Sequence, residues 1–181
     1  MVKSESSNLD NLMQDDLPLV SIVTVVLNGE DVIEETILSV IHQVYPNIEY
    51  IIIDGNSKDK TLQIIKKFSN SIDQWISRDD KGIYHAMNLG ASMANGNLLG
   101  FLNAGDILFP QTIHILASEY KKYNFDYSIG STVIKDLKGR HLGTHQSLKD
   151  ADLIYKSIPP MPSAHMGVYM KKKLFSRIRG I

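Results

Sequence analysis

The chain has 181 residues, 43% of them hydrophobic and 22% charged, enough for one α/β domain with a real core and too little for two of ordinary size. A formal net charge of -1 excludes a global electrostatic pull, so no nucleic-acid partner is expected and any charged partner needs a local patch. The absence of cysteine excludes a disulfide framework, a thiolate metal site and a cysteine nucleophile, and no apolar run approaches the roughly 18 residues of a membrane span. With an N-terminus that also lacks the basic start and apolar core of a signal peptide, the sequence reads as soluble and cytoplasmic.

Residues 1–17 are polar and end near Asp15-Asp16, which predicts a flexible tail ahead of a domain over 18–181. After Pro18, the run Leu19 to Leu27 is almost continuously apolar and rich in β-branched residues. Such a run predicts a strand buried on both faces, as in a parallel sheet. Asn28-Gly29 stops it, and Ile33, Ile37, Val40, Ile41 and Val44 then recur at helical spacing. The unit repeats: Ile48 to Ile53 is a second buried strand, Asp54-Gly55-Asn56-Ser57 a polar turn, and 58–69 a helix that Ser57 or Asp59 could cap. A shorter strand fits 73–77.

From Ile83 onward, Ala86, Met87, Gly90, Ala91 and Ala94 form a helical stripe of small residues that allows close approach to a sheet. Leu98 to Leu102 is a fourth strand, followed by a helix opening at Pro110 with Ile113, Leu116 and Tyr120 inward. Strands alternating with helices of this length indicate βαβ units. Farther on, 126–134 reads as one strand that Lys138-Gly139-Arg140 turns into a hairpin through His141 to His145. Pro159-Pro160-Met161-Pro162 must be a loop, 166–170 a last strand, and 171–179 a short basic amphipathic helix.

In an open α/β sheet, ligands bind at the carboxyl ends of the strands where strand order reverses. Asp54 and Asp106 end two such strands, so two carboxylates can converge on one nucleotide. The alternative for Asp54 is a turn carboxylate bonded to its own backbone. A divalent ion on a diphosphate needs only one or two protein carboxylates, which makes Mg²⁺ or Mn²⁺ the natural cofactor. Lys81 could meet a phosphate, Asp79 or Asp80 a sugar hydroxyl, and Tyr84 and Asn88, at i and i+4 opposite Ala86 and Ala91, the floor of a cleft. His85 reads equally as an inert surface residue. His141 and His145 lie on a strand, about 13 Å apart, which argues against a shared metal. His165 is a candidate substrate contact or a histidine closing a core edge. Neither GxGxxG after the first strand nor GxxxxGK[ST] is present, which weakens a dinucleotide-dependent oxidoreductase and excludes a P-loop.

These residues bring out a resemblance. Val20-Ser21-Ile22-Val23-Thr24 with Asn28, Ile53 to Thr61, Asp80 to Asn88 and Gly100 to Asp106, in that order, resemble the family 2 glycosyltransferases of the GT-A fold that build bacterial polysaccharides. The likeness covers roughly Pro18 to Pro110 and continues more weakly through Ala164-His165-Met166 and the basic helix. It implies a single-domain, Rossmann-like, mostly parallel α/β fold that binds a nucleotide-diphospho-sugar. By it Asp54 would contact the donor base, Asp80 would lie near the donor sugar, and Asp106 would be the metal ligand, with Asn28, Lys81, Tyr84, Asn88 and Asn103 also lining the donor site.

The implied reaction is an inverting transfer to a hydroxyl of a glycan or lipid-linked acceptor, with Asp80, His85 and His165 as the catalytic candidates. Three features depart from the family pattern. Gly105 stands where a second acid is usual, His85 replaces an Asp, and the chain stops where relatives continue into further helices. A catalytically impaired nucleotide-sugar-binding module is therefore the rival reading. The basic C-terminal helix has two readings, a peripheral contact at the inner face of the membrane or a cover for the sheet edge, and homo-oligomerisation stays open.

Overall fold

The structure, a computed structural model, describes residues 17–136, 138–145 and 167–177. Strands β1 (Val20–Val26), β2 (Ile48–Asp54), β3 (Gln74–Ser77) and β4 (Leu98–Asn103) pair in parallel in the order β3-β2-β1-β4. β1 is buried at every residue, β2 at all but its first and β4 at all but its last, as their unbroken apolar runs require. The sheet continues through β8 (Val168–Lys171), antiparallel to β4, and β5 (Tyr127–Ile129), antiparallel to β8. A separate hairpin joins β6 (Thr132–Lys135) to β7 (His141–His145).

The strand period of two assigns each apolar residue to a layer. On one face, Val20 and Ile22 with Tyr50, Ile52 and Leu98 pack against α1 (Ile33–Ile41), α2 (Thr61–Lys67) and α4 (Thr112–Tyr123) through Ile33, Ile37, Val40, Ile65, Ile113 and Leu116. On the other, Val23, Val25, Ile51, Ile53 and Leu99 meet Ala86, Met87 and Ala91 of α3 (Ile83–Met93) and Phe175 of α5 (Lys172–Arg177). Burying each of these large aliphatic side chains contributes about 1.5–3 kcal/mol. The small-residue stripe does what its spacing predicts. A Cβ on Gly90 would run into Val23 Cγ1, so only glycine lets α3 lie this close to β1.

Several boundaries differ from the sequence expectation. Helix α1 stops at Ile41, and Val44, expected on its inner face, is 65% exposed. α2 begins at Thr61 rather than near Lys58, because Ser57 and Lys58 bond across to the loop after β1. Asp59 accepts the N–H of Thr61 (3.0 Å) from one residue ahead of the N-cap, which is Lys60, so neither expected residue is the cap. Pro110 lies two residues before α4. The stretch 126–134 is not one strand. It breaks at Gly130-Ser131, where the Gly130 N–H bonds to the Gly167 carbonyl (2.7 Å), so β5 enters the main sheet and β6 the hairpin.

Leu17, expected as the end of the tail, packs on the core, its carbonyl accepting from Asn47 Nδ2 (2.7 Å). Tyr45 donates its hydroxyl to the Pro18 carbonyl (2.6 Å), and burial pushes that hydroxyl up to about 12, so it stays a donor. The rest of the expected tail, the proline loop and His165 lie outside the described residues. α5 lies on the sheet: Phe175 is buried against Phe101 with ring centroids 5.6 Å apart, and Ile178 and Ile181, the rest of the expected apolar side, lie outside the described residues. No helix among the described residues is long and apolar enough to cross a membrane.

Candidate nucleotide-sugar site

The strand order reverses at β1. The chain steps outward to β2 and β3 on one side, then crosses back over α3 to place β4 on the other. The register sets Val26 beside Asp54 and Val25 beside Asn103, so the acidic turns after β2 and β4 flank the end of β1 at two strand spacings, about 10 Å. This is the switch-point crevice in which open α/β sheets hold ligands.

Three loops form its first wall. After β1, Asn28 takes a left-handed conformation (φ 51°), donates its N–H to Ser57 Oγ (2.8 Å) and accepts the Lys58 N–H on Oδ1 (2.8 Å). The Glu30 N–H bonds to Asp59 Oδ2 (3.0 Å), and the Lys60 N–H returns to Glu30 Oε2 (2.8 Å). After β2, Asn56 donates its amide to Asp79 Oδ1 (2.8 Å) and so reaches the loop after β3. Asp80 accepts the Gly82 N–H (2.8 Å), and its other oxygen lies 2.8 Å from where a Cβ on Gly55 would be. The loops after β1, β2 and β3 are thus one hydrogen-bonded surface rather than three independent segments.

Asp54 sits beneath that surface. It is fully buried, Ser57 donates its N–H and its hydroxyl to the carboxylate, and Ser77 donates to Oδ2 at 2.6 Å. Asp54, expected as a contact of the donor base, here joins the turn after β2 to the end of β3. Ser57, expected as a helix cap, spends its hydroxyl on Asp54, and Ser77 carries no signal in the sequence because its partner lies 23 residues away.

The opposite wall is the turn after β4. Asn103 is half-buried, the Ala104 N–H extends the ladder to Val25 (3.2 Å), and the Asp106 N–H turns back to the Asn103 carbonyl (3.0 Å). Gly105 holds φ at 96°, a conformation that L side chains rarely adopt. The space there is open, with Val32 atoms no nearer than 3.8 Å. A second acid at 105 would therefore fit sterically and strain the backbone. Asp106 itself is half-buried, with Oδ2 turned away from solvent.

At the head of α3 Lys81 is exposed, Tyr84 is 48% exposed and Asn88 is half-buried, on the side away from Ala86; Ala91, expected opposite them, lies instead one turn along from Asn88 and two from Tyr84. His85 is half-buried, and its Nδ1 is enclosed with no hydrogen-bond partner among the described residues. His141, by contrast, bonds to Thr144 Oγ1 within its own strand (2.9 Å). Among the described residues no three His, Cys, Asp or Glu side chains stand close enough to hold an ion by themselves. Asp106 is a hard oxygen donor, which suits Mg²⁺ or Mn²⁺ provided a ligand's own oxygens complete the shell.

A parallel sheet with helices on both faces and an acid-lined switch point defines the chain as a GT-A-type α/β fold. The family profile "Glycosyl transferase family 2" matches residues 21–176. The chain belongs to that family. A glycosyltransferase of Mycobacterium tuberculosis, itself uncharacterised, is 39% identical over 90 residues, which cover 49% of this chain and 34% of that one. Among solved structures, S. aureus TarS 1-349 in complex with UDP-GlcNAc superposes with a TM-score of 0.71 at 21% identity, covering 89% of this chain and 47% of that one. The mannosyltransferase PcManGT of Pyrobaculum calidifontis, in complex with GDP-Man and Mn²⁺, gives a TM-score of 0.63 at 18% identity, over 91% of this chain and 47% of that one. This chain spans about a third to a half of the length of these relatives.

Proposed function

We propose that the chain is the donor-binding core of an inverting glycosyltransferase that moves a sugar from a nucleoside diphosphate to a hydroxyl of a glycan or lipid-linked glycan. The observation that carries this reading is the pairing of two unlike walls at the switch point: the laced loops after β1, β2 and β3 on one side, and the Asn103–Asp106 turn on the other. The laced wall offers rigid backbone and the side chains of Asn28, Lys81, Tyr84 and Asn88 to the donor, while Asp54 acts from below by fixing Ser57 and Ser77. Asp80, whose carboxylate lies over Gly55, would stand near the donor sugar. The relatives of known structure hold UDP-GlcNAc and GDP-Man, which supports a nucleotide-sugar donor.

Asp106 would hold a Mg²⁺ or Mn²⁺ ion. When bound, such an ion supplies charge neutralisation for a departing diphosphate. Because one carboxylate is a weak site alone, ion and nucleotide should bind together. Titration calorimetry with UDP and with GDP, each with and without Mn²⁺, tests this. Nucleotide affinity should rise at least tenfold with Mn²⁺, and Mn²⁺ alone should give little heat. Equal affinity with and without the ion would remove the metal from the reading.

The glycine at 105 favours a second reading, a module that binds the donor without transferring it. The two separate on whether a donor sugar is released to acceptor or water once binding has been measured.

A further inference from the structure

Helix α1 carries two rows. Ile33, Ile37 and Val40 face the sheet, and a polar row begins with Thr36 and Ser39 on another side and continues in Gln43, two residues past the helix end. All three polar side chains bond to the segment that follows β4. The Gly105 N–H donates to Thr36 Oγ1 (2.9 Å), the Leu108 N–H to Ser39 Oγ (3.2 Å) and the Ile113 N–H to Gln43 Oε1 (3.1 Å). Gln43 Nε2 donates in turn to the Phe109 carbonyl (2.8 Å), and the Val44 N–H to the Pro110 carbonyl (3.1 Å).

Residues 104–111 form no helix or strand, and Ile107 and Phe109 are 58% and 59% exposed, so Ala104 and Leu108, which pack on the core, share the fixing of the path with the backbone turn at Asn103–Asp106 and these side-chain bonds. Thr36, in contrast, is fully buried, and its hydroxyl also reaches the Val32 carbonyl (3.4 Å), which orients the lone pair that receives Gly105. The N–H so held belongs to the Ala104–Gly105 peptide, one peptide ahead of the one that carries the Asp106 N–H.

We infer that Thr36 is a positioning residue for Asp106. It sets the divalent-ion affinity of the site through the Gly105 peptide without touching the ion, and Ser39 and Gln43 hold the remainder of the loop in the same register. This rests on the proposed role of Asp106 as metal ligand. Groups that orient a metal ligand typically govern 10–100-fold of the affinity.

The test uses the full chain as wild type, Thr36→Val and Thr36→Ser. Valine matches threonine in volume and removes the acceptor; serine keeps the hydroxyl. Two quantities are read: amide hydrogen exchange at Gly105 and Asp106 by NMR without ligand, and the affinity for UDP and GDP with and without Mn²⁺. Thr36→Val should speed exchange at Gly105 and weaken the Mn²⁺-dependent part of nucleotide affinity by about tenfold, with metal-free affinity unchanged. Thr36→Ser should restore both. Wild-type Mn²⁺-dependent affinity in Thr36→Val, or equal weakening with and without the ion, overturns the inference. A wild-type protein with no Mn²⁺-dependent affinity overturns the reading of Asp106 instead and this inference with it, and unchanged exchange at Gly105 in Thr36→Val overturns the inference alone.

Discussion

Two polar clusters lie at opposite ends of the same parallel strands. At the amino ends, Ser21, Glu49, Asn95 and Gly96 form a closed set. Ser21 Oγ donates to Glu49 Oε2 (2.5 Å), Asn95 donates its backbone N–H and its amide to the two Glu49 oxygens (2.7 Å each), and the Gly96 N–H bonds to Ser21 Oγ (2.8 Å). Lys172 donates to the Ala94 carbonyl and adds its charge. Glu49 is 7% exposed. At the carboxyl ends, Asn28, Lys81 and Tyr84 are exposed, while Asp54 is fully buried and His85 and Asp106 are half-buried. Polar residues at strand ends are thus no site by themselves. The difference is whether the hydrogen bonds close on the protein or leave groups directed at a ligand.

Asp106→Asn should break the functional end with the largest effect. It should remove the Mn²⁺-dependent gain in UDP or GDP affinity while changing stability by no more than about 0.5 kcal/mol, as read by calorimetry and urea unfolding. A variant that binds nucleotide and Mn²⁺ like wild type would show that the turn after β4 is as structural as the amino-end cluster.

Glu49→Ala should do the reverse. It strips the partners of Ser21, Asn95 and Lys172, should cost about 3 kcal/mol in urea unfolding, and should leave the metal dependence of binding intact. The same cluster predicts the pH response. Burial alone would push the Glu49 carboxyl up, but the bonds from Asn95 and Ser21 and the charge of Lys172 outweigh it and hold the carboxyl below its ordinary value. A depressed folded-state value gives stability that is present above the unfolded value, about 4.3, and lost as pH falls through the folded one. Unfolding measured from pH 6 down to pH 3 should therefore lose stability on its acid limb, and Glu49→Gln should flatten that limb.

The smallest effect is expected at α5. Lys171 pairs with Asp126 (2.8 Å) and Phe175 is in the core, which leaves Lys173 and Arg177 as the exposed cations of α5 among the described residues. Flotation with anionic and neutral vesicles at low salt should differ little; strong, salt-sensitive flotation with anionic vesicles alone would move this region from the structural to the functional side.

Most of what places the site was legible in the chain. The β-branched runs at 19–27, 48–53 and 98–102 are buried strands, and the turns Asn28-Gly29, Asp54 to Ser57 and Asn103 to Asp106 end them at one edge of the sheet. What escaped was which polar atoms those turns consume. Asn28 with Ser57, Asp54 with Ser77, and Thr36 with Gly105 are 29, 23 and 69 residues apart, so no local window contains both partners. The break of 126–134 into β5 and β6 escaped for the same reason, since it depends on the distant Gly167 carbonyl.

The sequence by itself determined the alternation of strand and helix, the small face of α3 and the acids at the strand ends. Period and composition are local quantities, and buried runs leave the chain few other ways to hide its apolar surface. Only the tertiary structure decided that Asp54 is a buried pin and Asp106 the carboxylate of the open turn, and that a polar row beginning on α1 shares in fixing the path of that turn. Those outcomes follow from strand order and register, which bring together donors and acceptors that the sequence keeps far apart.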